Sequence, residues 1–220
     1  MIEIKNITKK FGSWKNENSL YTWLNFNVES WDFIAILWSS GSWKTTLLNM
    51  ISWLTDFNSW EITINSQKYS QMSWDALTKF RWSNMSFIFQ QFHLIPNLTV
   101  KENIELPLDI NWSKKRFSVK KILKKVWLEN KINSYPFNLS GWEQQRIAIA
   151  RAFISDTPIL LADEPTGNLD EKNSKNIMDI LTSLHTETKN TIILITHDLE
   201  VAKYANKQYE LKNNSLHLIK

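Results

Sequence analysis

The chain has 220 residues, no cysteine and a net charge of +4. That length suits one α/β domain with a proper core, and the lack of cysteine excludes a disulfide framework or a thiolate metal site. The opening MIEIKNITKKF lacks the apolar run and cleavage site of a signal peptide, and the apolar runs, FIAIL at 33–37 among them, are too short to span a bilayer. A soluble, cytoplasmic protein is therefore expected, with any membrane role supplied by a partner.

IEIKNI alternates and predicts a strand, and residues 20–29 predict a second. DFIAIL at 32–37 is a short apolar run of the kind buried on both faces of a sheet. A loop over 38–43 leads to a helix from Lys44 to about Ile51. EITI at 61–64 and MSFIF at 85–89 predict further strands, and residues 100–137 are mostly helical in pattern, with breaks expected at Pro107 and Pro136. Ser140 caps a helix running to about Ile154; PILLAD at 158–163 is another buried strand; a helix over 171–187, a strand TIILIT at 191–196, a short helix and a hairpin complete the chain. This alternation implies a mainly parallel sheet covered by helices, interrupted by a helical stretch near 92–154. The lysine-rich run 114–125 reads as the solvated face of a helix. It lacks the interleaved aromatics of a single-strand binder, and no nucleic-acid partner is expected.

After DFIAIL the chain reads Trp38-Ser39-Ser40-Gly41-Ser42-Trp43-Lys44-Thr45-Thr46. The phosphate-binding pattern G-x-x-x-x-G-K-[ST] sits on such a strand-loop-helix unit, where backbone N–H groups and the helix N-terminus cradle phosphate oxygens. Lys44 is placed to reach the β- and γ-phosphates and the Thr45 hydroxyl to bind Mg²⁺. By itself a lysine before two threonines is equally an ordinary capped helix, and both pattern glycines are tryptophan. ILLADEP at 159–165 is a strand ending in two carboxylates, of which Asp163 suits Mg²⁺ and Glu164 suits polarising an attacking water. Around it stand LSGWEQQRIAIARA at 139–152, Thr166-Gly167-Asn168-Leu169-Asp170, and ITHD at 195–198.

With these segments in this order, the sequence resembles ABC-type ATPases over essentially its whole length. LSGWEQQR looks like the family signature, usually LSGGxxxR; ADEPTGNLD like the Walker B segment and D-loop; ITHD carries the switch histidine; IFQQFHLIPNLTVKENIELPL at 88–108 is similar to the Q-loop and the start of the helical subdomain. The wording is closest to the subgroup serving lipoprotein release, macrolide-type export and cell division. The resemblance implies a P-loop NTPase core of mainly parallel sheet with an antiparallel β part, spanning about 1–91 and 155–220, and a helical subdomain at about 92–154. It implies that Phe11 stacks on adenine, that residues 38–46 wrap the phosphates, and that Gln90 approaches Mg²⁺ and the attacking water. Ser140 and Gly141 would contact ATP held by a second subunit, Asp170 would couple the two sites, and His197 would contact the γ-phosphate. The implied cofactors are ATP and Mg²⁺. The implied partners are a second copy of the chain and an integral-membrane permease, which would place the protein on the inner face of the cell membrane. The rival readings are an ATPase driving a cell-wall or division complex and a nonhydrolytic partner-binding subunit.

One imbalance departs from the family. Tryptophan occurs 12 times and glycine 4 times. Together they make up about 7% of the chain, the ordinary share of glycine alone. Trp38, Trp43 and Trp142 stand on motif glycines. Ser30-Trp31-Asp32 and Ser59-Trp60-Glu61 are expected turns, and Trp14, Trp53, Trp82, Trp112 and Trp127 fall in loops or at helix ends. Read literally, the chain is expected to bind ATP poorly.

Overall fold

A computed structural model describes residues 1–11, 18–38, 44–55, 59–111, 115–212 and 215–220; for residues 9–11, 18–23, 44, 45, 59, 60, 110 and 111 it describes the backbone alone. The first sheet is antiparallel, with β1 (Ile2–Phe11) between β2 (Asn18–Val28) and β4 (Ser59–Ile64), and with β5 (Gln67–Lys68) at its edge. The second sheet has six strands. β3 (Phe33–Leu37), β8 (Thr191–Thr196), β7 (Ile159–Asp163) and β6 (Met85–Ile88) run parallel, side by side in that order. On the other side of β3 lies β9 (Lys207–Lys212), parallel to it and paired antiparallel with β10 (Ser215–Leu218).

Alternation along the buried strands divides the apolar residues between two cores. Ile34 and Ile36 of β3, Ile159 and Leu161 of β7, and Ile193 and Ile195 of β8 face a core shared with the antiparallel sheet and with α1 (Lys44–Ile51). Phe33, Ala35 and Leu37, Leu160 and Ala162, and Ile192 and Leu194 face the second core. That core is closed by α3 (Val100–Asn111), α4 (Val119–Lys125), α5 (Gly141–Phe153) and α6 (Glu171–Thr188). The expected strand-helix alternation and the buried character of 33–37, 159–163 and 191–196 are thus found.

Four expectations need correction. The helix does not break at Pro107, which lies inside α3. Proline removes its own N–H bond to the Asn103 carbonyl and crowds that carbonyl, but the first turn is fixed independently. There Thr99 and Glu102 cap each other, and buried Asn103 donates its side-chain amide to the carbonyls of Ile95, Leu98 and Thr99. Pro136 starts a short 3₁₀ turn, Pro136–Asn138, rather than ending a helix, as its fixed φ and missing donor favour. Trp60 lies within β4, not in a turn, because Ile62 and Ile64 extend the pairing with β1 back through Ser59. Finally, a helix that the pattern did not announce, α2 (Trp74–Asn84), is capped by Ser73, which accepts from Ala76 N–H; its buried side chains are Leu77 and Phe80. α7 (Leu199–Ala202) is a single turn capped by Asp198. Among the described residues, no helix is long and apolar enough to cross a membrane.

Candidate active site

Because β3, β8, β7 and β6 are parallel, their C-terminal ends share one edge of the sheet, the edge where open α/β sheets bind ligands. Leu37 pairs with Thr196, Asp163 with Ile195, and Ile88 with Ala162. The residues that follow these ends are Trp38, His197, Glu164 and, two positions on, Gln90. The loop 39–43 lies outside the described residues, and with it Ser39, Ser40, Gly41, Ser42 and Trp43. Lys44 and Thr45 begin α1 with side chains outside the description, and Phe11 ends β1 in the same condition; Thr46 is half-buried in α1. Trp38 packs against the core between the two sheets.

Glu164 is the centre of the described site. It is buried, at 7% exposure, and its backbone lies in the left-handed region at φ 44°. Its N–H donates to the Ile195 carbonyl at 3.0 Å, carrying the β7–β8 pairing one residue past the strand, and its own carbonyl accepts from Gly167 N–H at 3.1 Å. A non-glycine residue held there against steric cost is the kind of strain that accumulates at functional sites. His197 Nδ1 lies 3.2 Å from Glu164 Oε2, with the imidazole open to solvent. Gly167 explains how a third group joins them: a Cβ on it would stand 3.0 Å from Glu164 Oε2 and 3.1 Å from Gln90 Nε2, so both side chains converge on the space that glycine leaves. Asn168 Nδ2 donates to the Gln90 carbonyl at 3.1 Å, tying the turn after Glu164 to the segment after β6. Asp163 is half-buried at the end of β7. A cleft of about 950 Å³ runs beside this cluster, lined in part by Glu164, Gly167, Asp170 and His197.

The remaining expected residues form a second group. Ser140 caps α5, and both its N–H (2.8 Å) and its hydroxyl (2.7 Å) donate to Glu143, in the next turn. Burial pushes the Glu143 carboxyl up, but the bonds from Ser140 and the nearby Lys131 ammonium outweigh it and hold the group below the usual carboxylate range. Gly141 is exposed, and a Cβ there would meet only the Phe92 ring at ordinary contact distance. Trp142 lies over the Arg146 guanidinium at 4.3 Å, and Trp127 lies over it at 4.9 Å. Asp170 caps α6 through Asn173 N–H. The structure therefore gathers Gln90, Glu164 and His197 in one place and sets Ser140 and Gly141 on a separate, outward-facing helix start.

Three residues missed from the sequence join these parts. Gln145 Nε2 donates to the Pro165 carbonyl at 2.7 Å, linking α5 to the turn after Glu164. Arg151 donates to the carbonyls of His93 (2.6 Å) and Phe92 (2.8 Å), and burial pulls its guanidinium down from its usual value. Gly167 supplies the gap already described. For Arg151 the signal available was a single charge inside the otherwise apolar run 147–153; Gln145 stands among other polar residues and gave none.

The donors fit a magnesium nucleotide. α1 follows the β3 end after the segment 38–43, and the carboxylates of Asp163 and Glu164 stand at the end of β7, with β8 between the two strands. Among the described residues there is no cluster of three or more metal-ligating side chains, and Mg²⁺ held by nucleotide phosphates needs only one or two protein carboxylates.

Comparison with known proteins agrees. The family model described as ABC transporter matches residues 21–167. An uncharacterized ABC transporter ATP-binding protein of Methanocaldococcus jannaschii, MJ1508, is 41% identical over 221 residues, covering 98% of this chain and 97% of its own length. The lipoprotein-releasing system ATP-binding protein LolD of Francisella tularensis is 36% identical over 224 residues, 100% of this chain and 96% of its own. Among solved structures, a dimeric, post-hydrolysis state of the ATP-binding cassette MJ0796 of M. jannaschii, bound to ADP and Pi, matches with a TM-score of 0.86 at 37% identity, over 99% of this chain and 97% of that one. Likeness along the whole length, in sequence and in the course of the backbone, makes this chain a member of the ABC transporter family, one of its ATP-binding domains.

Proposed function

We propose that the chain binds and hydrolyses ATP as one of two identical motor subunits on a membrane permease. The observation that carries this is the buried Glu164 carboxylate at the end of β7, 3.2 Å from His197 and converging with Gln90 on the space beside Gly167. Bound Mg²⁺-ATP supplies the transferable phosphoryl group and neutralises its charge. In the proposed roles, residues 38–46 hold the phosphates, Thr45, Gln90 and Asp163 stand beside the metal, and Phe11 packs on the base. Glu164, shielded from solvent, orients an attacking water and takes its proton. His197 holds the Glu164 carboxylate and faces the γ-phosphate from the open side, and Gln90 orients the same water. Ser140 and Gly141, on their exposed helix start, meet the nucleotide of the second copy, and Asp170 lies between the two sites. Catalysis in this arrangement is mostly positioning and charge stabilisation.

The permease reading draws support from a mostly apolar groove of about 460 Å³ that includes Trp82, Phe87, Phe89, His93, Leu106 and Arg151. It lies where the core meets the helical arm proposed for 92–154, and Arg151 ties it to the segment that follows Gln90. An apolar helix or loop of a membrane partner seated there would act on Gln90 through the segment at 92–93 that Arg151 holds. The test is ATP turnover with Mg²⁺ by the purified subunit carrying Trp38→Gly, Trp43→Gly and Trp142→Gly, and by Glu164→Gln in the same background. The amide keeps the shape but takes no proton, so turnover should fall by about 10²–10⁴-fold while ATP binding persists and ATP drives a stable dimer. Unchanged turnover in Glu164→Gln would remove that residue from its role.

A further inference from the structure

Three backbone positions built for glycine carry tryptophan. Two are helix ends. After α1, Trp53 has φ 55°; its N–H donates to the Met50 carbonyl (3.0 Å) and Leu54 N–H to the Asn49 carbonyl (2.7 Å). After α4, Trp127 has φ 58°; its N–H donates to the Lys124 carbonyl (3.1 Å) and Leu128 N–H to the Leu123 carbonyl (2.9 Å), with Leu123 and Leu128 both buried. Each is a complete Schellman motif, two crossed bonds closing over one left-handed residue, and that residue is usually glycine. The third is a turn. Asp32 N–H donates to the Glu29 carbonyl, and Trp31, third of the four residues, has φ 70°. Positive φ at that place alone is the type II turn, which asks for glycine there.

Among the described residues, tryptophan thus supplies three of the nine non-glycine residues with positive φ, two others being the tolerant Asn6 and Asn65. At two of the three, burial does not repay the strain: Trp31 is 62% and Trp127 54% exposed, with a cation near each ring, whereas Trp53 packs against the core beside Tyr69. Composition points the same way, with 12 tryptophans against 4 glycines. So does the phosphate loop, where Trp38 and Trp43 fall on both glycines of the G-x-x-x-x-G-K-[ST] pattern that ends at Lys44-Thr45.

We propose that these tryptophans are UGA codons which the cell reads as glycine, so that the working polypeptide carries glycine at positions 31, 53 and 127 and, with them, at 38, 43 and 142. UGA is one base from the glycine codon GGA and one base from the tryptophan codon UGG, so a single change in a glycine tRNA anticodon suffices to reassign it. A translation table that gives UGA the meaning tryptophan then writes an indole wherever a glycine was encoded. The helix-end and turn geometry carries this inference independently of the ATPase reading.

The test is made on the native protein, isolated from its own cells and digested for peptide mass spectrometry, alongside the sequence of its gene. Peptides covering positions 31, 38, 43, 53, 127 and 142 should have the masses of glycine, over UGA codons. UGG codons or tryptophan masses at 31, 53 and 127 would overturn the proposal. A second measurement uses the chain made with tryptophan throughout. Trp31→Gly and Trp127→Gly should each melt about 2–4 °C above the matching Trp31→Ala and Trp127→Ala, since only glycine relieves the left-handed backbone. Equal melting of the glycine and alanine variants would also count against it, by removing its geometric ground.

Discussion

At the scale of the residue, the site depends as much on a missing atom as on the charged groups. Gln90 and Glu164 belong to segments far apart in sequence, and the empty side of Gly167 lets them share one point. Gly167→Ala would place a methyl group at 3.0–3.1 Å from both. The nucleotide should still bind within about twofold, while turnover falls roughly 10–100-fold, because sub-ångström displacement of a positioning group is costly to the transition state and nearly free to binding. Steady-state kinetics with parallel nucleotide titration would show the split; equal losses in both would mean that the methyl group disturbs the fold rather than the convergence. Glu164 itself was legible in the sequence as the second carboxylate of a strand end. Its left-handed backbone was not, since it comes with long-range bonds such as the pairing to Ile195 and with the turn to Gly167.

At the scale of the element, the start of α5 is an exposed part of the proposed machinery and is held by the Glu143 carboxylate. Because the folded-state value of Glu143 lies below the unfolded one, its bonds to Ser140 contribute stability that is complete above the usual carboxylate range and is lost as the pH falls through the lowered value. Glu143→Gln should therefore be destabilised by about 1 kcal/mol near neutral pH, the ordinary worth of a helix cap, with the gap to the parent chain closing on the acid side. Thermal melts of the two proteins across pH would check this; a gap constant with pH would show that packing, not charge, is at stake. The elements differ in how far the sequence announces them. β3, β7 and β8 are continuous apolar runs with no rival reading. α2 has only Leu77 and Phe80 to bury and exposed Trp74 and Trp82 on its surface, so its period is faint. Pro107 misleads because a proline is read as a break unless the buried Asn103 network upstream is known. Gln145 and Arg151 act across chain separations that no local spacing reveals.

At the scale of the whole molecule, the separation of Glu164 and His197 from Ser140 and Gly141 makes a single copy an incomplete enzyme in the proposed scheme. Three indoles bear on its closure: Trp38 and Trp43 at the phosphate loop, and Trp142 beside Ser140. In the chain written with tryptophan, Trp38→Gly, Trp43→Gly and Trp142→Gly together should raise ATP affinity at least about tenfold, the effect of roughly 1.4 kcal/mol, by reopening the backbone N–H cradle. Titration with a fluorescent nucleotide would measure it, and an unchanged affinity would show that the indoles do not obstruct the loop.

The stack of Trp142, Arg146 and Trp127 also has an optical side. An indole 4.3 Å above a guanidinium, one residue past Gly141, would sit at the seam between two copies. Its emission would shift as water leaves that seam, giving a tryptophan-bearing chain a built-in lamp for closure. A chain with glycine at all twelve positions would have no such lamp. It would absorb in the near ultraviolet chiefly through its five tyrosines, and a simple spectrum of the native protein would be dark at the red edge where indole alone is bright.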